Sequence, residues 1–261
     1  MFDYHMHSTV SFDGHDSGLA MAMAAKAAGL REICFTDHID HDCDSNGRSM
    51  VFDLGEYNLE YNELEIPGLK IRRGVEYGLK PYNKETMAVD LRQRHFDFVL
   101  GSVHFVKEQD IYYKEFWQDK TVEKAVSLFL EETLQCVQHH DDYDVLGHLT
   151  YICKARAHPD PKPLYIENHR EIADEILRLL VQKGKGMEIN TSGVDRCGDF
   201  LPTEGFLRRF RELGGEIVTV GSDAHTADRV GQYSGRACAM LKDIFGHVCT
   251  FEDRKPIFHK L

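Results

Sequence analysis

The 261-residue chain contains no Cys-x-x-Cys pair, and its seven cysteines are odd in number and scattered singly. A disulfide framework and a thiolate zinc site are therefore not expected; Cys34, inside an apolar run, reads as a small core residue. No apolar run approaches the roughly 20 residues that span a bilayer. Met1-Phe2-Asp3-Tyr4-His5 lacks the basic and apolar regions of a signal peptide, so a cytoplasmic protein with no membrane partner is expected. There is no internal repeat, no low-complexity segment and no Pro/Gly/Ser linker, and the expectation is one domain over residues 1–261. Positive charge is in deficit, with a formal net charge of −12. That disfavours a polymeric nucleic acid, whose phosphates attract basic surfaces. It leaves room for a small phosphorylated substrate gripped by a few local cations. Finally, no Gly-x-Gly-x-x-Gly follows the first apolar run, which weakens the case for an open dinucleotide-binding sheet.

What the chain does have is a regular alternation of short apolar runs with longer amphipathic segments. The runs near 2–6, 32–36, 70–76, 98–103, 144–148, 187–190 and 217–221 read as strands. Gly18–Ala28, Val122–His139, Ile166–Gln182 and Thr203–Leu213 read as helices, with Ile172, Ile176, Leu179 and Leu180 at helical spacing. Gly29, Gly184 and Gly214-Gly215 fall where such helices should stop. Seven strand–helix units in this length predict a parallel α/β architecture closed into a TIM-like barrel, with the open doubly wound sheet as the alternative.

Metal-type side chains recur at the ends of those strands. His5 and His7 end the first on one face; His38 follows the second, Glu76 closes the third and His104 follows the fourth. His148 ends the fifth, and Asp223 and His225 follow the seventh. These are C-terminal strand ends, the face on which barrel enzymes build their sites. Any single histidine among fifteen is more simply structural or superficial. Packing alone, however, would fill such recurring positions with Val, Ile or Leu, and converging imidazoles and carboxylates are costly without cations. Imidazole with carboxylate suits Zn, Mn or Fe. The donors are too many for one tetrahedral ion, so two or three divalent ions are expected, with Glu76 able to bridge. Lys154, Arg156 and Arg196 lie in loops above the same face, where arginine can grip a phosphate bidentately or simply be solvated. The aromatic loop Tyr112-Tyr113-Lys114-Glu115-Phe116-Trp117 reads as loop packing rather than a pocket wall.

The set His5-Met6-His7, Thr36-Asp37-His38, Gly74-Val75-Glu76, Gly101-Ser102-Val103-His104, Gly147-His148 and Gly221-Ser222-Asp223-Ala224-His225 resembles the polymerase and histidinol phosphatase (PHP) family. Glu188-Ile189-Asn190-Thr191-Ser192-Gly193 is similar to its phosphatase branch. The resemblance implies a distorted (β/α)7 barrel with a trinuclear site. One ion would take His5, His7, Glu76 and Asp223; a second would share Glu76 and add His104 and His148. The third would take His38, His225 and a residue in Ser11–His15. Spacing from His7 favours Asp13 there, leaving His15 in a supporting or substrate-facing place.

Glu76, Asp223, His225 and Asp13 would then carry the chemistry, and Arg156, Arg196, His15, His41 and Ser192 are expected to meet the substrate, Arg156, Arg196 and His41 from their places on loops above the metal face. The implied reaction is hydrolysis of L-histidinol phosphate, a late step of histidine biosynthesis, by attack of a metal-bridging hydroxide. A family nuclease with the same cluster and a non-catalytic metal-binding regulator are the competing readings. The acidic surface weighs against the first and the complete donor set against the second.

Overall fold

The computed structural model describes residues 1–45 and 48–261, with side chains outside 42–49. All seven expected strands form. They are Phe2–Asp3, Glu32–Phe35, Lys70–Gly78, Phe98–Ser102, Val145–Leu146, Gly186–Asn190 and Val218–Gly221, each parallel to the next in chain order. The last strand returns to the first: Tyr4 N donates to Val220 O at 2.8 Å, Asp223 N to His5 O at 2.7 Å, and Met6 bridges Ala224 in parallel. The sheet therefore closes on itself, as in a distorted TIM-like barrel. Glu32–Phe35, Phe98–Ser102 and Gly186–Asn190 are buried along their whole length, the continuous burial of parallel strands covered by helices on their outer side.

Two expected strands, 2–6 and 144–148, are shortened most. After Leu146, Gly147 N still donates to Gly101 O at 2.9 Å, and the ladder then stops where His148 N donates to the Glu188 carboxylate at 2.7 Å. Beyond Asp3, the first strand has single bonds to both neighbours rather than a regular ladder: Tyr4 N donates to Val220 O and Thr36 N donates to Met6 O at 2.9 Å.

The covering helices follow their apolar spacing. Val122–His139 buries Ala125, Val126, Phe129, Leu130, Cys136 and Val137 and begins at Thr121, whose hydroxyl accepts from Lys124 N at 3.2 Å. The segment read as a helix from Ile166 begins with a 3-10 turn, Ile166–His169, before the α-helix Arg170–Gln182. Helices Leu54–Tyr61, Lys84–Gln93 and Ser234–Ile244 complete much of the outer layer.

Among the described residues three antiparallel pairs lie outside the seven strand–helix units, the shortest being Phe105–Val106 with Gln109–Asp110 after the fourth strand. His38–Ser45 pairs with Arg48–Val51, and its first two residues also extend the sheet beside the third strand, placing His38 opposite Glu76. At the other end of the barrel, His247–Glu252 pairs with Lys255–Lys260. This C-terminal hairpin sends the buried Phe251 ring against Phe98, with centroids 4.9 Å apart, and Phe251 N donates to Tyr4 Oη at 3.0 Å. Arg254 Nε reaches Asp144 and Arg72 Nη2 reaches Glu252, so the hairpin caps the strand starts. No helix among the described residues is long and apolar enough to cross a membrane.

Candidate metal centre

Because successive parallel strands end on the same face, their terminal side chains share one cavity. His5 Nε2 and His7 Nε2 stand 3.1 Å apart. Glu76 Oε2 lies 3.2 and 3.5 Å from them, and Asp223 Oδ1 lies 3.6 and 3.5 Å from them. Four tetrahedral ligands at zinc–nitrogen distances of about 2.0–2.1 Å stand roughly 3.3–3.4 Å from one another. The two imidazole nitrogens face each other across a gap of that size, so these residues fit a common divalent ion.

Glu76 then reaches the other way. Its Oε1 lies 2.8 Å from His148 Nε2 and 3.2 Å from His104 Nε2. One carboxylate thus faces two groups of imidazoles, the arrangement of a bridging ligand. A third group gathers Asp13, His38 and His225 around His7: Asp13 Oδ2 is 3.1 Å from His225 Nε2 and 3.6 Å from His38 Nε2. The His7 ring stacks on both His225 and His38, with centroids 4.2 and 4.4 Å apart. Of the two residue types offered in Ser11–His15, it is Asp13 that enters the cluster. His15 is exposed and contributes only its backbone N, which donates to His225 O at 3.0 Å.

The backbone at Asp223 has φ of 55°, a left-handed conformation that Asp tolerates better than most residues and that often marks functional positions. It lets Asp223 and His225, two residues apart, both turn inward. Lys154 Nζ contacts Asp223 Oδ2 and donates to Ser192 Oγ at 2.9 Å, while Asn190 Nδ2 donates to Asp223 Oδ2 at 3.3 Å. Lys154 is thus the rim cation closest to the donors. Arg156 and Arg196 are exposed, and Arg196 Nη2 donates to Arg156 O at 2.7 Å, joining their two loops. His41 lies with its ring at Asp90 Oδ2, 2.6 Å away.

Two buried carboxylates were given no role from sequence. Asp40 Oδ1 meets His104 Nδ1 at 3.0 Å, and Glu188 Oε1 meets His5 Nδ1 at 2.7 Å, each holding the ring nitrogen that faces away from Glu76. This is how metal-binding imidazoles are commonly oriented. Asp40 stands two residues after His38 on an alternating strand, a signal of shared facing that could have found it. Glycines make room for both: a Cβ at Gly78 would meet Asp40 Oδ1 at 1.8 Å, and one at Gly221 would meet Glu188 Oε1 at 2.1 Å.

The electrostatics follow from crowding. Burial pushes His7 down, and His225 and His38 add to this, leaving it at about 3. For His104 burial opposes protonation, but Asp40 and Glu76 outweigh it and raise the imidazole to about 10. His5 and His38 are also held well above their ordinary value against burial, His5 by Glu76, Glu188 and Asp223 and His38 chiefly by Asp13 and Glu76. Glu76 and Asp223 are correspondingly held well below theirs, although burial alone would raise both. Buried anions here are compensated by protons on imidazoles, the positions that divalent cations would take.

The PHP domain family matches residues 3–192. The chain belongs to that family. It is 35% identical over 262 residues to the histidinol-phosphatase of Lactococcus lactis, covering 97% of this chain and 95% of that one. It is 30% identical to a "probable histidinol-phosphatase" of Clostridium acetobutylicum, covering 99% and 96%. The crystal structure of the Lactococcus lactis histidinol phosphate phosphatase, complexed with zinc, L-histidinol and phosphate, superposes with a TM-score of 0.90 at 34% identity, covering 98% of each chain. The PHP chain described here thus shares with that zinc-binding relative a fold over almost its full length.

Proposed function

We propose that this PHP protein is a metal-dependent phosphomonoesterase that hydrolyses L-histidinol phosphate to L-histidinol and phosphate. The observation that carries the reading is the buried meeting of His5, His7, Glu76 and Asp223 at ligand-to-ligand distances, in a chain 35% identical to a histidinol-phosphatase over nearly its whole length. In this reading the ions number two or three and are drawn from Zn, Mn and Fe. His5, His7, Glu76 and Asp223 hold the first, Glu76 with His104 and His148 the second, and Asp13, His38 and His225 the third. Bound there, divalent ions supply Lewis acidity, which activates water at neutral pH and offsets the charge of the phosphoryl group.

The chain's own residues do the rest by positioning and charge, which is most of what phosphoryl transfer requires. Glu188 and Asp40 keep the His5 and His104 rings facing Glu76. Lys154, fixed between Asp223 and Ser192, presents a positive charge to the phosphoryl oxygens. Arg196, braced on the Arg156 carbonyl, closes the rim from two loops, and both guanidinium groups are assigned to the phosphate. Asp90 occupies the His41 ring, so no substrate contact is assigned to it. A single domain over 1–261 and a cytoplasmic setting belong to the same reading, the latter supported by six free cysteines among the described residues.

The test is phosphate release by metal-loaded protein from L-histidinol phosphate against nuclease activity on single-stranded DNA under Mn²⁺. Faster turnover of DNA favours the nuclease reading, and no turnover of any phosphate ester favours a binding protein.

A further inference from the structure

The phosphoryl-facing Lys154 stands at Asp223. Beside His104 and His148 the cavity wall has a different character. Tyr151 follows the fifth strand in a 3-10 turn, Tyr151–Lys154. Its ring lies against His148, with centroids 4.8 Å apart, and meets the His104 ring edge-on at 5.3 Å; Lys154 Nζ is 5.3 Å from its centroid. Asp110 arrives from the fourth strand on a short hairpin, opposite Phe105, the residue after His104. Ile111 N donates to His104 O at 3.2 Å, and Ala157 N donates to Tyr112 O at 3.1 Å, tying this hairpin to the loop that carries Tyr151 and Lys154.

Asp110 Oδ1 accepts from Tyr112 N at 2.8 Å. Among the described residues, no side-chain cation pairs with Asp110, and neither its other oxygen nor Tyr151 Oη makes a hydrogen bond. The other carboxylates of the cavity, Asp13, Asp40, Glu76, Glu188 and Asp223, all have an imidazole or an ammonium partner. Asp110 and Tyr151 are both half-buried, and the Ile111–His104 and Ala157–Tyr112 bonds hold their two segments side by side. A half-buried anion with an open acceptor is unfavourable until a donor fills it.

We propose that Asp110 and Tyr151 form the subsite for the amine and imidazole end of the substrate, and that Asp110 is a specificity-determining residue. This rests on the reaction proposed above. L-Histidinol phosphate carries N–H donors on the amine, one carbon from the phosphate-bearing CH2, and on the imidazole beyond it, and an anionic acceptor beside a hydroxyl on an aromatic wall is complementary to them. A phosphate ester without such donors leaves the carboxylate unfilled, which is how polar sites reject analogues.

The experiment compares wild type, Asp110→Asn and Tyr151→Phe as zinc-loaded proteins. It uses L-histidinol phosphate, 4-nitrophenyl phosphate (which has neither amine nor imidazole) and L-histidinol as product inhibitor. For Asp110→Asn, the ratio of kcat/KM for L-histidinol phosphate to that for 4-nitrophenyl phosphate should fall about ten- to a hundredfold. The inhibition constant of L-histidinol should rise by a similar factor, with zinc content unchanged, and Tyr151→Phe should shift both in the same direction by less. An unchanged ratio and inhibition constant overturn the assignment, as does a parallel loss on both substrates accompanied by loss of zinc. Failure of the wild type to hydrolyse L-histidinol phosphate, with 4-nitrophenyl phosphate still turned over, instead overturns the substrate reading on which the assignment stands.

Discussion

Replacing Glu188 with Gln changes almost nothing in volume, yet the structure predicts a large loss of metal affinity. One Glu188 oxygen faces His5 Nδ1 and the other accepts from His148 N, each at 2.7 Å, with the side chain 1% exposed. Both neighbours require an acceptor. An amide has only one, so its NH2 must oppose either the His148 amide or His5 Nδ1. In the second case His5 protonates at Nε2, the nitrogen facing His7, and that nitrogen can no longer ligate. Removing the partner behind a metal-bound imidazole typically costs ten- to a hundredfold in affinity, or about 1.4–2.7 kcal/mol. Competition between the metal-free variant and a chromophoric zinc chelator measures this directly, with far-UV circular dichroism to establish that the barrel is intact. A folded Glu188→Gln protein that binds zinc within twofold of wild type would refute the orienting role.

Zinc binding to metal-free protein at pH 7 should release protons, because the raised His5, His38 and His104 hold them there. Affinity should therefore climb with pH, read as buffer-dependent enthalpy in calorimetry. His140 behaves oppositely: burial lowers its pKa in the fold, so its contribution to stability is present above about pH 6.5 and is lost as the pH falls below that. His140→Gln should flatten this acid limb in urea unfolding, and an unchanged limb would assign it elsewhere. Phe251→Ala should cost about 3–5 kcal/mol of stability, with zinc content retained, since the hairpin caps the end of the barrel remote from the metals. Arg196→Met should raise KM for the phosphate ester about tenfold with zinc content unchanged; unaltered kinetics would place the phosphate elsewhere.

The barrel strands were legible because burial on both faces writes a short apolar run, as in Ile33–Phe35 and Phe98–Leu100. Gly18–Ala27, Val122–His139, Arg170–Gln182 and Glu204–Glu212 were legible through spacing, whereas Leu54–Tyr61, Lys84–Gln93 and Ser234–Ile244 were not read. Nor was the C-terminal hairpin. Its Lys255–Lys260 strand has no buried residue, and His247–Glu252 is recognisable as a cap only once Phe251 is seen against Phe98 and Tyr4. The pair His38–Ser45 and Arg48–Val51 was missed for a related reason: HIDHDCDS offers polar and charged residues at nearly every position, without the apolar run that marks a strand.

The candidate site divides along the same line. Donors at strand ends can be read locally, because the chain reaches the C-terminal face wherever an apolar run stops, and His5, His104 and His148 each stand there. What turns those rings cannot be read that way. Glu188 meets His5 from 183 residues away, and Asp40 meets His104 from 64. Which carboxylate backs which imidazole depends on how far each strand is shifted against its neighbour around the closed sheet, a property of the whole ring of strands. Gly78 and Gly221 record the consequence, since each lacks the Cβ that would occupy the carboxylate's place. A donor set without its orienting anions would still look complete in sequence, but its imidazoles would be free to choose the wrong tautomer. The convergence needed for a multinuclear site is therefore supplied by Asp40 and Glu188 as much as by the donors themselves.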